Sequence, residues 1–410
     1  MKAIVFHGVG DIRLDDVSEP KIQQKTDAIV CITTSAICGT DLHMVRGTMA
    51  GMVPGTILGH EGVGIVEEVG SEVRNFKEGD RVVISPTIAC GYCSYCRSGY
   101  FAQCDNANPN GKRAGTAFFG GPKTTGPFHG LQAEKARVPF ANVGLVKLPE
   151  SVSDDQAILL SDIFPTGYFG AALAEIKHGD TVAVFGCGPV GQFAICSAFL
   201  LGAGRVIAVD KLSSRLRMAQ SQDAEIINFE EDDPVEAILE LTGGIGVDRV
   251  IDAVGVDAEA PHKGPAYKQS KSKKKEFARE LEQIAPETHP EGDLWVPGDA
   301  PSQALIWEVE CLAKAGTLSI IGVYPETVEF FPLGQAMMKN LTVNMGNCNH
   351  RKYIPRLLDM VKNGTVDPQQ FITQTEPMPS AIDAYKAFDE RKAGWVKVEL
   401  KPQEEFAGAR

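Results

Sequence analysis

Three groups of residues in this sequence have the types and spacings that chemistry requires. Cys90, Cys93, Cys96 and Cys104 are spaced C-x2-C-x2-C-x7-C, in a loop containing glycine and serine but no apolar run of its own. Four thiolates at this spacing suit a tetrahedral zinc ion at a closed, structural site. The alternatives are an iron–sulfur cluster or chance clustering. A zinc ion with four protein ligands keeps no position for water or substrate, so its expected role is to hold the loop.

The second group is Phe185-Gly186-Cys187-Gly188-Pro189-Val190-Gly191, which follows an apolar strand pattern and opens a helical one. Gly186, Gly188 and Gly191 permit a tight turn and close approach of backbone to a pyrophosphate, and the helix start at Pro189 and Val190 meets its charge. The next apolar strand ends at Asp210, where an acid would accept hydrogen bonds from the adenosine ribose hydroxyls and repel a 2′-phosphate. This predicts NAD as cofactor, although Lys211 and Arg215 lie close enough in sequence to weaken the preference over NADP. The third group is Cys38-Gly39-Thr40-Asp41-Leu42-His43 together with Gly59-His60-Glu61. Taken singly, a cysteine or histidine of this kind is more often structural than ligating.

These groups need elements to position them. Up to about residue 150 the pattern is of short strands between glycine turns: Ala28 to Ser35, Gly62 to Val69, Arg81 to Ser85 and Ala133 to Pro139. No long helical period appears there, which predicts a β-rich domain. From about Ser153 helix and strand alternate, with strands expected at Thr181 to Phe185, Arg205 to Val209, Val247 to Asp252, Thr317 to Ile321 and Leu341 to Met345, the pattern of a doubly wound parallel sheet. A polar stretch from Asp257 to Ser302, with Lys263, Lys268, Lys271, Lys273, Lys274 and Lys275, interrupts the alternation and reads as a solvated insertion or a loop over the cofactor. An amphipathic helix near Tyr353 to Lys362 and a strand at Val396 to Leu400 close the chain, and this tail is expected to pack on the N-terminal domain.

The 410 residues predict two domains, and 43% hydrophobic with 23% charged residues is the composition of a globular protein. A net charge of −13 and a pI near 5.2 argue against nucleic acid or an anionic membrane as partner and favour a small-molecule substrate. Residues 182–204 are apolar, yet Gly186, Gly188, Pro189 and Gly191 crowd the first half, which fits a buried strand and helix better than a membrane span. Met1 to Gly10 shows no secretory pattern, so the ten cysteines are expected to be reduced or metal-bound and the location cytoplasmic.

Taken in order, C-G-T-D-x-H, G-H-E, the four-cysteine lobe, Leu160-Ser161-Asp162-Ile163-Phe164-Pro165-Thr166-Gly167-Tyr168 and the glycine triplet resemble the zinc-containing medium-chain alcohol dehydrogenases. The branch of glutathione-independent formaldehyde dehydrogenases is the most similar. The resemblance implies an α/β fold: a GroES-like β-rich catalytic domain (residues 1–157 and 346–410, zinc lobe 90–104) and a Rossmann cofactor domain (158–345, insertion 257–302). It also implies two zinc ions per chain. Cys38, His60 and Asp162 would hold the catalytic one, with Asp162 standing where most relatives have cysteine. Asp41 would orient His60, Glu61 would stand beside the metal, Thr40 would take the substrate proton, and His43 would pass it on through the ribose hydroxyls. Thr166 and the Gly322 to Tyr324 loop, with Val323 at its centre, would flank the nicotinamide, while Arg215 and Val254 would contact the adenosine side. The expected activity is hydride transfer from a small alcohol or aldehyde hydrate to NAD, in a homotetramer. Two alternatives are a polyol or threonine dehydrogenase of the same superfamily, from which Asp162 leans away, and a non-catalytic NAD-binding zinc scaffold, which would have no use for Thr40 and His43.

Overall fold

A computed structural model describes residues 1–285, 294–296 and 298–402. The chain forms two compact units, one of Met1–Pro165, Glu287–Trp295 and Asn347–Arg410, the other of Thr166–Pro286 and Val296–Gly346. The strands in chain order are β1 (Lys2–Gly8), β2 (Asp11–Asp16), β3 (Ala28–Ile37), β4 (Gly62–Val69), β5 (Arg81–Ile84), β6 (Lys135–Val138), β7 (Leu145–Lys147), β8 (Thr181–Phe185), β9 (Arg205–Asp210), β10 (Glu225–Asn228), β11 (Val247–Asp252), β12 (Leu312–Ile320), β13 (Thr342–Met345), β14 (Gln374–Pro377) and β15 (Val398–Lys401). No helix among the described residues is long and apolar enough to cross a membrane.

The first unit is built on a sheet of order β14-β15-β3-β4-β5-β7, with β6 also paired to β3. The C-terminal strand β15 lies antiparallel to β3, with Val398 opposite Ile37. Strand β3 can be central because its residues are apolar or β-branched on both faces, as in Ala28-Ile29-Val30 and Ile32. One face packs on Val66, Val82, Ile84, Leu131 and Val138. A second apolar cluster joins Ile4, Ile37, Leu42 and Val45 to Ala384, Tyr385, Val398 and Leu400, so the chain's two ends share one core.

The second unit holds a six-stranded sheet of order β10-β9-β8-β11-β12-β13, every pair parallel. Its central strands β8 and β9 are nearly continuous apolar runs because helices cover both faces. The period of two divides them cleanly: Val182, Val184, Val206 and Ala208 face Ala194 and Ile195, while Ala183, Phe185, Ile207 and Val209 face Ile238, Leu305 and Trp307. The strand order reverses between β8 and β11, and in open α/β sheets ligands bind outside the carboxyl ends at such a switch point.

Sequence patterning missed β1, β2, β7, β10 and β14, and it placed the start of β12 five residues late. The Lys-rich insertion differs more. It is expected as a solvated insertion or a loop over the cofactor, with no helix assigned to it, and it carries the helices Tyr267–Ser272 and Lys274–Ile284. Phe277, Glu280 and Ile284, spaced three and four apart, are its buried stripe. Its lysines remain on the surface apart from the half-buried Lys273. Residues 286–293 and 297 of the insertion lie outside the described residues.

Candidate active site and metal centre

Cys38 is the N-cap of the helix Gly39–Arg46. Asp41, at its third position, accepts the Cys38 backbone N–H at 3.0 Å, which satisfies a donor that the helix start would otherwise orphan. The other oxygen of this fully buried carboxylate lies 3.1 Å from His60 Nδ1. Asp41 accepts only, so Nδ1 carries a proton toward it, which fixes the ring with Nε2 on its far side. Gln132 Nε2 also reaches Asp41, at 3.4 Å, and Tyr385 Oη donates to Gln132 Oε1 at 2.8 Å. Gly59 sets the approach of His60: its φ is +86°, and a Cβ there would come within 2.4 Å of the Gln132 side chain.

Asp162 arrives from a different element. The helix Asp154–Ser161 starts on a Ser153–Gln156 capping box and ends at Asp162, whose φ of −128° and ψ of −66° leave the helical region. Ser161 Oγ anchors this end by donating to the Ile84 carbonyl at 2.6 Å and accepting from Gly62 N–H at 3.1 Å. Asp162 Oδ2 then stands 3.6 Å from Cys38 Sγ and 3.2 Å from His60 Nε2. One donor atom from each of Cys38, His60, Glu61 and Asp162 falls within 4.8 Å of the others, all in the first unit and all buried.

Two residues that the sequence did not single out complete this centre. His350 Nε2 lies 2.7 Å from Asp162 Oδ1, and its Nδ1 is 3.4 Å from Thr87 Oγ1. Lys397 is fully buried and donates to Glu61 Oε2 at 2.5 Å and to the Ile37 carbonyl at 3.1 Å. Glu61 Oε1 has no hydrogen-bond partner in this buried position. Burial alone would push the Asp162 carboxyl up, but hydrogen bonds from His350 and His60 hold it well below the usual carboxylate range. Burial pulls His60 down, yet the carboxylate of Asp41 and the sulfur of Cys38 raise it well above the usual imidazole value. Burial pushes the Cys38 thiol up.

A thiolate and two carboxylates buried this closely cost several kcal/mol each unless a cation joins them. One sulfur, one imidazole nitrogen and one carboxylate oxygen converging on a point, with an orphaned Glu61 oxygen beside it, fit a divalent zinc ion. Thr40 Oγ1 stands 3.9 Å from Cys38 Sγ. His43 is buried, with Nδ1 2.7 Å from Thr48 Oγ1.

Cys90, Cys93, Cys96 and Cys104 also converge within 4.8 Å. The Cys90–Cys96 and Cys93–Cys104 sulfur pairs are each 4.0 Å apart. Backbone N–H groups of Cys90, Tyr92, Cys93 and Cys96 already point at sulfurs of the set, at 3.2, 3.5, 3.4 and 3.4 Å. Burial raises Cys93, but N–H donors outweigh it and bring the thiol down to about 7. Four sulfurs cradled by amides fit a closed zinc site.

In the second unit, Gly186 (φ +84°) turns the chain at the end of β8, and Gly188 and Pro189 open the helix Pro189–Leu200. A Cβ on Gly191 would sit 1.8 Å from the Gly186 carbonyl oxygen, so only glycine fits there. Asp210 ends β9 and accepts the Cys187 N–H at 2.8 Å, tying the glycine turn to the neighbouring strand. Arg215 Nη1 is 3.8 Å from Asp210 Oδ2. Val254 follows β11 and sits against Gly186. Val323 follows β12 and accepts the Val256 N–H at 3.0 Å. Gly186, Gly188, Pro189, Val190, Gly191, Asp210, Val254 and Val323 therefore cluster at the carboxyl ends of the strands. Thr166 lies in the helix Ile163–Leu173, whose Gly167 packs against Phe193 and Ala194 of the glycine-turn helix. Gln192 was not singled out; it donates to the carbonyls of Cys187 and Arg215 at 2.8 and 3.0 Å.

Residues 24–150 match the alcohol dehydrogenase GroES-like domain, and residues 189–261 match the zinc-binding dehydrogenase family. A zinc-type alcohol dehydrogenase-like protein of Bacillus subtilis is 39% identical over 98% of this chain and 100% of its own length. The glutathione-independent formaldehyde dehydrogenase of Pseudomonas aeruginosa is 36% identical over 78% of this chain and 80% of its own. The solved alcohol dehydrogenase TADH of Thermus sp. ATN1 superposes with a TM-score of 0.79 at 32% identity, covering 98% of this chain and 99% of its own. Sequence kinship over the whole length, a GroES-like domain, a parallel cofactor-type sheet and two donor clusters that suit zinc agree, and the chain belongs to the zinc-dependent medium-chain alcohol dehydrogenases, a family of oxidoreductases.

Proposed function

We propose that this protein oxidises a small primary alcohol, or the gem-diol hydrate of an aldehyde such as formaldehyde, with NAD as hydride acceptor. The observation that carries the reading is the meeting of Cys38 Sγ, His60 Nε2 and Asp162 Oδ2 in one buried centre, the last two atoms 3.2 Å apart. When bound there, zinc supplies a Lewis acid that lowers a substrate hydroxyl pKa toward neutrality. Asp162 replaces the cysteine usual in the family with a harder donor of equal charge, which keeps the centre electrophilic.

The remaining work falls to the chain's own groups. Asp41 fixes the tautomer of His60, so that Nε2 faces Cys38 and Asp162. Lys397 neutralises one oxygen of Glu61, whose carboxylate lies against the donor cluster. Thr40 accepts the substrate's hydroxyl proton, and His43, steadied by Thr48, receives it next. In the second unit the glycine turn and helix start hold the pyrophosphate, and Asp210 holds the adenosine ribose hydroxyls. Arg215 and Val254 line the adenosine side, and Thr166 and Val323 flank the nicotinamide. The four cysteines hold a second, structural zinc. In this reading residues 1–157 and 346–410 form the catalytic domain and 158–345 the cofactor domain, in a cytoplasmic homotetramer.

The aldehyde-hydrate reading rests on Asp162 and on the formaldehyde dehydrogenase relative at 36% identity. The test is to mix pure zinc-loaded protein with NAD and a panel of alcohols, polyols, threonine and formaldehyde while following NADH absorbance. Fastest turnover is expected with formaldehyde or a short primary alcohol, and Cys38→Ser should abolish it while NAD binding stays measurable. No NADH from any substrate, or loss of NAD binding in the variant, refutes the reading.

A further inference from the structure

A Rossmann-type site that ends its second strand in an acid still faces a choice between NAD and NADP, and a cation next to that acid can tip it by pairing a 2′-phosphate. A zinc-binding dehydrogenase of Sinorhizobium meliloti with this fold, 25% identical with a TM-score of 0.73, was solved with NADP bound. In the present chain Lys211 directly follows Asp210, and its ammonium is ion-paired with Glu259. The two side chains are 22% and 15% exposed, so water screens the pair only partly. Glu259 belongs to the insertion after β11, not to the strand–turn–helix core that builds the rest of the adenosine end.

The segment carrying Glu259 is pinned on both sides. Ala258 is buried; its N–H donates to the Gly255 carbonyl at 3.3 Å, and its own carbonyl accepts the Ala300 N–H at 3.1 Å. On the other side the Ala260 N–H donates to Asp299 Oδ1 at 2.7 Å, and the His262 N–H donates to Glu230 at 3.1 Å. The carboxylate is therefore held on Lys211 by four backbone contacts. The second cation of this end, Arg215, lies 3.8 Å from Asp210.

We propose that Glu259 is a specificity-determining residue: it neutralises Lys211 and adds a second carboxylate beside Asp210, so the adenosine end rejects a 2′-phosphate. This deepens the NAD reading above and rests on it. A 2′-phosphate would have to displace Glu259 from Lys211 or meet two carboxylates at close range. The free ribose hydroxyls of NAD face neither penalty.

The experiment measures dissociation constants of NAD and NADP for the wild type, Glu259→Gln and Glu259→Gln/Lys211→Ala by calorimetry, with thermal melting as the check on folding. The wild type should bind NAD more tightly. Removing the single charge of Glu259 should tighten NADP by about tenfold while NAD changes by less than about twofold, and the double variant should lose that gain. Glu259→Ala repeats the measurement should the amide fail to fold. A wild type that prefers NADP overturns the NAD reading and this inference together. A wild type that prefers NAD, with NADP affinity unmoved in both Glu259 variants or a gain that survives Lys211→Ala, overturns this inference alone.

Discussion

His350 offers a direct test of how the proposed zinc centre is built. Its Nε2 holds Asp162 Oδ1 at 2.7 Å, leaving Oδ2 as the oxygen that faces Cys38 and His60. A carboxylate accepts only, so Nε2 must carry the proton, and Nδ1 of a neutral ring accepts from Thr87. Replacing His350 by alanine removes a buried hydrogen bond to a charged group, a change of about 1.5–3 kcal/mol. At about 1.4 kcal/mol per tenfold, zinc affinity at Cys38, His60 and Asp162 should fall by roughly 10- to 100-fold. The assay is chelator competition, counting zinc released per chain at each chelator concentration, with NAD affinity measured alongside. One of two ions should leave at lower chelator in His350→Ala, with NAD binding unchanged, and His350→Gln, which keeps an N–H donor, should recover part of the loss. Zinc retention within about twofold of the wild type in His350→Ala would show that Asp162 does not depend on this contact.

Other consequences are equally open to measurement. Cys93→Ser should lower thermal stability and zinc content by one ion per chain, because the lobe has little apolar core to replace the metal; a fully stable variant that keeps two ions refutes the closed site. Arg46 and Asp389 form a buried pair, 2.7 Å apart with side chains 1% and 2% exposed, so Arg46→Met should cost about 3–5 kcal/mol and lower the melting temperature by on the order of 10 °C. Arg46→Met/Asp389→Leu should regain most of that, and a double variant as unstable as the single would contradict the argument. Burial raises the Glu399 carboxyl from the usual 4.5 to about 7 despite Lys401 beside it. The folded state thus holds a proton that the unfolded chain releases. The associated stability is present below about 4.5 and is lost as pH rises through about 7, by on the order of 3 kcal/mol. Denaturant titrations of Glu399→Gln should lack this decline, and parallel pH profiles for the two proteins would show the assignment to be wrong.

What could be read from the sequence is what local chemistry determines. The glycine triplet and the C-x2-C-x2-C-x7-C lobe each lie within a single short stretch, and the buried parallel strands announce themselves as apolar runs. Cys38, His60 and Asp162 are different: Asp162 is 102 residues beyond His60, and only the family resemblance joins them. His350 and Lys397 contact their partners across 188 and 336 residues with no spacing rule to betray them. Strand β10 escaped because it is short, with Ile226 exposed on its outer position. The start of β12 was hidden by Lys314, Ala315 and Gly316, which read as a turn; Ala315 does have a φ of +61°, and the strand's register with β11 shifts there. The helix Lys274–Ile284 was masked by its charged majority, its core contact coming from one narrow stripe.

The pairing of sulfurs in the lobe also bears on how this protein should be handled. Stripped of metal by a chelator, Cys90 and Cys96, and likewise Cys93 and Cys104, face each other at 4.0 Å with amides still aimed at them. Cys93, with its thiol near 7, would supply thiolate at neutral pH and start oxidation in air. A preparation demetallated without reductant would drift toward two crosslinked pairs that added zinc cannot reopen, whereas one kept reduced should accept the ion back.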